Sequence, residues 1–463
     1  MLNKSILEDV ISAALSSGGD FAELFLENTE KNSISMTGGE VEEAISGRDY
    51  GLGLRILHGT NAIYSYTNND SKENLIKMAK IAAQALKDNN KGITFNLHKK
   101  DFNDIHKILV YPADKSQMDK VSLMQNAHKA ATDYDDLIDQ VIINYYDVLQ
   151  NVLIANSEGL LVEDKRVRTR TSISVVATKG SEKQTGFYGP GAHKGFEFYD
   201  EIDISDYAKE AARTAVTMIK AKHAPSGKMP VIINNEFGGV IFHEACGHGL
   251  EATSVAKNTS VFANKLNEKI ASELVTAVDD GTIPNAWGSQ NIDDEGNKTQ
   301  KNILIEDGVL KGYMIDKLNG RRMNMEATGS ARRQSYKYAP TSRMTNTYIA
   351  DGESDPEDII KNTEFGLFAK YMGGGSVNPA TGEFNFNVRE GYLVKNGEIK
   401  EAVRGATLIG KGSEILKKID MVGNNLALGQ GMCGSISGTI PANVGQAMIR
   451  VSNLTVGGRK EMA

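Results

Sequence analysis

The chain is expected to be an α+β protein of two domains. The first sets helices on antiparallel and mixed sheets. The second is largely β and barrel-like, built around one short His-Glu helix. Three observations lead to this. Amphipathic helical segments and alternating β segments interleave through the first half. Beyond about residue 270 the pattern is mostly β. Between them, His223-Ala224-Pro225-Ser226-Gly227-Lys228 is the strongest boundary signal, so the division is drawn at 1–224 and 225–463. A length of 463 residues accommodates two such domains, each with a real core.

In order, Ser5 and Glu8 form a capping-box pattern, opening a helix with Ile6, Leu7, Val10, Ile11, Ala14 and Leu15 at helical spacing. Residues 21–27, 33–36, 40–46 and 51–57 read as strands, parted by turn signals at Gly38-Gly39, Gly47-Arg48-Asp49 and His58-Gly59-Thr60-Asn61. Asp70 with Glu73 opens a second amphipathic helix carrying Leu75, Ile76, Ala79, Ala82, Ala83 and Leu86. A similar order then recurs, compatible with an internal duplication. Residues 118–131 read as helix, and 140–146, 152–156, 160–164 and 167–178 as strands. Arg166, Arg168 and Arg170 alternate and therefore share one strand face. A solvated face is the favoured reading; an edge binding carboxylates or backbone is the other. Residues 181–196 read as a polar, Gly-rich loop able to lie over a site, and 203–222 as a helix.

The second half opens with a strand at 229–234. Asp307-Gly308 and Asn396-Gly397 are hairpin turns. Gly373-Gly374-Gly375 and residues 429–438 read as flexible backbone, and neither has the context of a phosphate loop or dinucleotide fingerprint.

Composition excludes several functions. A net charge of −7 with no long basic run leaves no footprint for nucleic acid or an anionic membrane. No apolar run reaches the roughly 18 residues of a membrane helix. The N-terminus turns acidic too soon for a signal peptide, so a cytoplasmic protein is expected. Two cysteines, Cys246 and Cys433, do not make a disulfide framework.

The stretch Ile241-Phe242-His243-Glu244-Ala245-Cys246-Gly247-His248-Gly249-Leu250-Glu251 carries the chemistry. Of eight histidines, only His243 and His248 are close enough in sequence to share one metal. A His-Glu-x-x-His helix brings its imidazoles to one face. Here they are five apart and diverge by about 140° on an ideal helix. Sharing a metal requires a π-bulge or a break at Gly247 or Gly249. Glu244 and His248, four apart, are naturally adjacent. The expectation is a distorted helix carrying both imidazoles, with Glu244 beside an open metal position. For the spacing by itself, a core helix with two hydrogen-bonded histidines is the simpler reading. No histidine follows His248, so a ligand from the later chain is a carboxylate or thiolate. Glu251, Cys246, Cys433, Asp279-Asp280 and Asp293-Asp294-Glu295 all stay open as the third ligand.

The segment from His243 to Glu251 resembles the signature of the TldD/PmbA family of metalloproteases, once described as modulators of DNA gyrase. The likeness runs through nearly the whole chain. It includes Gly51-Leu52-Gly53-Leu54-Arg55, the stretch from Ala327 to Tyr336, and Pro340-Thr341-Ser342-Arg343-Met344-Thr345-Asn346-Thr347. It continues through Gly373-Gly374-Gly375, Phe384-Asn385-Phe386, Glu390-Gly391-Tyr392, Gly431-Met432-Cys433-Gly434 and Thr455-Val456-Gly457-Gly458.

The resemblance implies the motif-bearing TldD-type subunit. It implies Zn2+ held by His243, His248 and Cys433, with Glu244 as the base that activates the water held there. The implied activity is a zinc metallopeptidase acting on unfolded or extended peptides in an enclosed site. The implied assembly is a homodimer, or a heterodimer with a PmbA/TldE-type paralogue. By signature and residue type, Arg332, Arg333, Tyr336, Arg343 and Asn346 are candidate substrate or oxyanion contacts. A hydrogen-bonded loop that anchors the barrel-like half is the competing reading for each. Two other functions stay open: a non-catalytic interaction protein modulating gyrase or a toxin system, and a protease that matures a modified peptide.

Overall fold

A computed structural model describes residues 2–86, 93–378 and 381–459. It is mixed α+β, as expected. Residues from Phe21 to Ala192 build an eight-stranded sheet. Its order is Asn61–Thr67, Glu40–His58, Phe21–Thr37, Ile138–Asn156, Leu160–Lys179 and His98–Lys99. Two short strands, Glu182–Tyr188 and Gly191–Ala192, add to Leu160–Lys179.

The main strands are longer than the sequence pattern indicates. Residues 21–27 and 33–36 belong to one strand, and 40–46 and 51–57 to another. The pair runs from Phe21↔Leu57 to Thr37↔Glu40, in register straight through the expected turn at Gly47-Arg48-Asp49 and shifting only between Ser35 and Met36. Ladder hydrogen bonds are made by backbone, so a polar stretch with no core to cover still pairs. For the same reason Ile138–Asn156 and Leu160–Lys179 are single strands. The turns at Gly38-Gly39 and at 59–60 form as expected.

Two helix pairs cover this sheet. Lys4–Ala14 and Lys72–Gln84 bury Leu7, Ile11 and Leu75 against Leu24 and Leu54. Gln117–Thr132 and Ile204–Lys220 bury Met124, Ala127 and Ala211 against Ile143 and Ile173. Their starts fall where a side-chain oxygen satisfies an orphan N–H. Asn3, not Ser5, caps the first helix by accepting from Ile6 N. Ser71, not Asp70, caps the second. Ser116 and Asp119 form a reciprocal capping box at the third.

In the second half, five strands close on themselves. Phe365–Val377, Gly227–Ile233, Ile449–Gly457, Thr407–Lys411 and Glu383–Lys395 follow one another, and the last pairs back with the first. A six-stranded sheet runs Val309–Leu310, Lys301–Glu306, Ala277–Asp280, Asn346–Ile349, Gly438–Gln446, Ala427–Ser435. The short helix Val240–Ala245 lies between the two, with Ile241, Phe242 and Ala245 in one core with Phe384, Phe386, Ile440 and Ala442. Asp307-Gly308 and Asn396-Gly397 make the expected hairpins, all four residues with positive φ.

Three kinds of expectation need correction: two flexible-backbone stretches, one loop and one strand face. Gly373-Gly374-Gly375 is part of the strand Phe365–Val377, where register shifts let the ladder bend. Much of 429–438 is likewise strand. The segment 181–196 is not an open loop, because Glu182–Tyr188 and Gly191–Ala192 pair with Leu160–Lys179.

The third concerns the arginines. Arg166 and Arg168 share a face, but the second half covers it and both are buried. Arg166 pairs with Asp164 at 2.8 Å and Asp294 at 2.7 Å. Arg168 donates to the carbonyls of Trp287 and Ser289. Alternation correctly grouped these cations, but acids and carbonyls more than a hundred residues away decide their burial. Among the described residues, no helix is long and apolar enough to cross a membrane.

Candidate metal centre

The motif segment is not one helix. Regular turns run from Val240 to Ala245, and Cys246 leaves the helical region at φ −132°, ψ −45°. A separate 3-10 turn, Gly247–Leu250, then carries His248. The irregular turn therefore falls at Cys246–Gly247, as expected for a break beside Gly247, and without a π-bulge. Gly247 also has a packing role. A Cβ there would lie 2.3 Å from Met344 Sδ, so any larger residue would have to displace that side chain. The kink brings the two imidazoles together, with ring centroids 5.2 Å apart and planes at 84°.

Cys433 arrives from the edge strand Ala427–Ser435. His243 Nε2 lies 3.2 Å from its sulfur and His248 Nε2 lies 3.5 Å from it. One donor atom from each of the three residues falls within 4.8 Å of the others. These spacings can be tested against an ion. Tetrahedral zinc, with bonds of ~2.3 Å to sulfur and ~2.0–2.1 Å to nitrogen, separates such donors by roughly 3.5 Å. The donor set fits a metal of that kind. Glu244 is half-buried, with Oε2 3.7 Å from His248 Nε2.

Electrostatics favour the ligand form of the thiol. Burial pushes the Cys433 thiol up, but the imidazoles of His243 and His248 outweigh it and hold it at about 3. Burial pushes His248 down, and the charges of Glu251 and Cys433 carry it well above its ordinary value. Cys246 is wholly buried, which alone pushes its thiol far up.

The other third-ligand candidates are engaged elsewhere. Glu251 Oε1 faces the opposite nitrogen of His248, 3.3 Å from Nδ1. There it orients the ring rather than joining the donor set. Asp279 accepts from Thr345 and Thr347. Asp293 accepts from the backbone of Asn297, Glu295 and Ala331. Asp294 is held by Arg166 and Arg333 N, and Glu295 pairs with Arg55 at 2.7 Å.

Of the candidate substrate contacts, Arg343 alone touches the donor set. It is fully buried and donates to the Cys433 carbonyl at 2.6 Å, to Ser437 Oγ at 3.0 Å and to the Gly438 carbonyl at 2.9 Å. It holds the strand that delivers the sulfur. Arg332 donates to the Met344 carbonyl. Arg333 joins the halves through Glu23 at 2.7 Å and the Asp294 carbonyl at 2.6 Å. Asn346 ties the Asp280 carbonyl to Ser289 Oγ. Tyr336 N donates to Glu27, and its ring packs with Phe25 and Val152. Arg332 and Arg333 also line a cavity of about 200 Å3 with Arg166, Arg168, Trp287 and Met432. Sequence reasoning passed over Trp287, whose Nε1 donates to the Gly431 carbonyl two residues before Cys433. Its being the only tryptophan was the available signal.

Comparison with known proteins agrees along the chain. Family models match in order: PmbA/TldA metallopeptidase domain 1 at residues 22–86, the central domain at 110–219 and the C-terminal domain at 226–458. The metalloprotease TldD homologue of Buchnera aphidicola (subsp. Acyrthosiphon pisum) is 38% identical over 448 residues, covering 95% of this chain and 93% of the relative. That of Haemophilus influenzae is 36% identical, with 95% and 93% covered. The crystal structure of TldE from Thermococcus kodakarensis has the same fold, with a TM-score of 0.78 at 20% identity over 98% of this chain and 100% of that one. The chain is a member of the PmbA/TldD metallopeptidase family.

Proposed function

We propose that this protein is a zinc-dependent peptidase that hydrolyses unfolded or extended peptides. His243, His248 and Cys433 hold the metal, and Glu244 is the general base. The observation that carries the reading is the convergence of two imidazoles and a thiol, with His243 and Cys433 190 residues apart in sequence. Two nitrogens and one thiolate suit zinc and leave a fourth position for a reactant. A zinc ion bound there supplies an acidified water and polarises a carbonyl.

The chain's own residues do the rest. Glu244 Oε2, on the His248 side of the cluster, accepts a proton from water and returns it to the leaving amine. Glu251 keeps His248 Nδ1 protonated, so that Nε2 is free to ligate. Arg343 fixes the Cys433 backbone.

An extended substrate is favoured by the position of Cys433. Its strand is at the edge of the six-stranded sheet and borders a cleft, along which an extended chain can lie beside the carbonyls that Arg170, Trp287 and Arg343 already hold. The same reading includes a cytoplasmic location, a division of the chain at 224/225, and a dimer formed with a second copy or with a paralogue of the TldE kind.

The reading is tested by zinc analysis of the purified protein together with digestion of a denatured protein, with and without chelator. About one zinc per chain and chelator-sensitive cleavage are expected. Metal-free protein with undiminished cleavage rejects the reading.

A further inference from the structure

The strand that delivers Cys433 also forms one wall of a cleft of about 340 Å3. Phe187, Tyr188, Phe237, Tyr371 and Met372 make it largely apolar and aromatic. Two arginines enter it from different segments. Arg389 stacks over Phe187, its guanidinium carbon 4.9 Å from the ring centre. Arg170 lies 5.5 Å from the Trp287 ring centre and donates to the carbonyls of Gly189 at 3.1 Å and Gln430 at 3.3 Å.

Arg55, Arg166, Arg213 and Arg333 each pair with a carboxylate. Burial pushes both Arg170 and Arg389 down, and among the described residues no acid offsets it on either. Arg168 and Arg332 also lack a carboxylate partner, but both are buried and spent on carbonyls, whereas Arg170 and Arg389 line an open cleft. The nearby acids are already engaged. Glu236, which also lines the cleft, accepts from Tyr188 Oη at 2.9 Å and is pushed up by burial, toward its uncharged form. Glu210 accepts from Tyr371 Oη at 3.2 Å and pairs with Arg213 at 2.7 Å. Two half-buried cations with no counter-charge, set among aromatic walls, are arranged for an anion with an apolar neighbour.

We propose that this cleft is a carboxylate subsite for the peptide substrate, with Arg170 and Arg389 receiving the carboxylate and the aromatic wall receiving the side chain next to it. The proposal rests on the peptidase reading and deepens it. Gln430, where Arg170 is anchored, precedes Cys433 by three residues, or about 10 Å of strand. A peptide lying along this edge therefore has its carboxylate some two or three residues from the bond at the metal centre. Two sources share this chemistry: the free C-terminus and an Asp or Glu side chain.

The test separates binding from hydrolysis. Three fluorescent peptides of one apolar sequence are compared on the Glu244→Gln protein, to prevent turnover: a free acid, its C-terminal amide, and the amide with an internal Asp. Arginine pairing should tighten binding of a carboxylate-bearing peptide over the plain amide by roughly tenfold. Arg389→Gln should abolish that difference, and Arg389→Lys should keep part of it. A gain for the free acid alone assigns the subsite to the C-terminus. An equal gain for the Asp peptide assigns it to a side chain. If all three bind alike, or Arg389→Gln leaves the preference intact, the proposal is overturned, while chelator-sensitive hydrolysis by the unmodified protein still decides the peptidase reading.

Discussion

His243 and Cys433 stand 190 residues apart in the chain, yet His243 Nε2 lies 3.2 Å from Cys433 Sγ. Nothing local creates that contact. The break at Cys246, the glycine under Met344 and the hold of Arg343 on the Cys433 carbonyl create it together.

The first expected outcome concerns the two cysteines. Cys433→Ser should lower zinc affinity on the order of tenfold or more, because a hydroxyl is a poor substitute for a thiolate. Cys246→Ser should leave affinity nearly unchanged. A competition titration against a chromophoric chelator measures both, and the reverse order would reject the ligand assignment.

The pH behaviour of the metal-free chain follows from the cluster's charges. The folded Cys433 thiol is depressed to about 3, against an ordinary value of about 8.5. It should stay ionised across the neutral and mildly acidic range and protonate only as pH falls through about 3. Thiolate absorbance near 240 nm, followed in Cys246→Ser protein stripped of metal, checks this. A midpoint near 8 would contradict it.

Glu251→Gln tests the support behind His248. The amide keeps the shape of Glu251 and loses its charge beside Nδ1. Zinc affinity should fall roughly tenfold to a hundredfold, the range for removing a partner behind a metal-ligating histidine. An unchanged zinc dissociation constant would show that Glu251 only fills space.

The junction between the halves depends on buried ion pairs. Arg166→Met would leave Asp164 and Asp294 as buried acids without their cation. Breaking a buried pair from one side costs about 3–5 kcal/mol. A lower midpoint in urea unfolding is expected, and a midpoint within error of the parent protein would contradict the pairing.

Local signals were legible where local physics decides. The Asp307-Gly308 and Asn396-Gly397 hairpins follow from residues that tolerate positive φ. The helices follow from apolar spacing, with the first two caps displaced by one or two residues because Asn3 and Ser71, not Ser5 and Asp70, reach the free N–H groups. The long strands were read as fragments, since polar stretches such as 47–50 interrupt the pattern but not the ladder. The fate of Arg166 and Arg168 was illegible, because their partners come from the other half of the chain. At the metal centre, the need for an irregular turn was legible from the five-residue histidine spacing. Proposing Cys433 over Glu251 as the third ligand rested on the family resemblance, for sequence distance says nothing about where a strand returns.

Glu244→Gln tests the central claim most directly. Zinc content and peptide hydrolysis are measured on the same preparation. Zinc should stay near one per chain while kcat falls on the order of a hundredfold to ten-thousandfold, the usual share of a general base. Undiminished hydrolysis at full zinc occupancy would show that Glu244 is not the base.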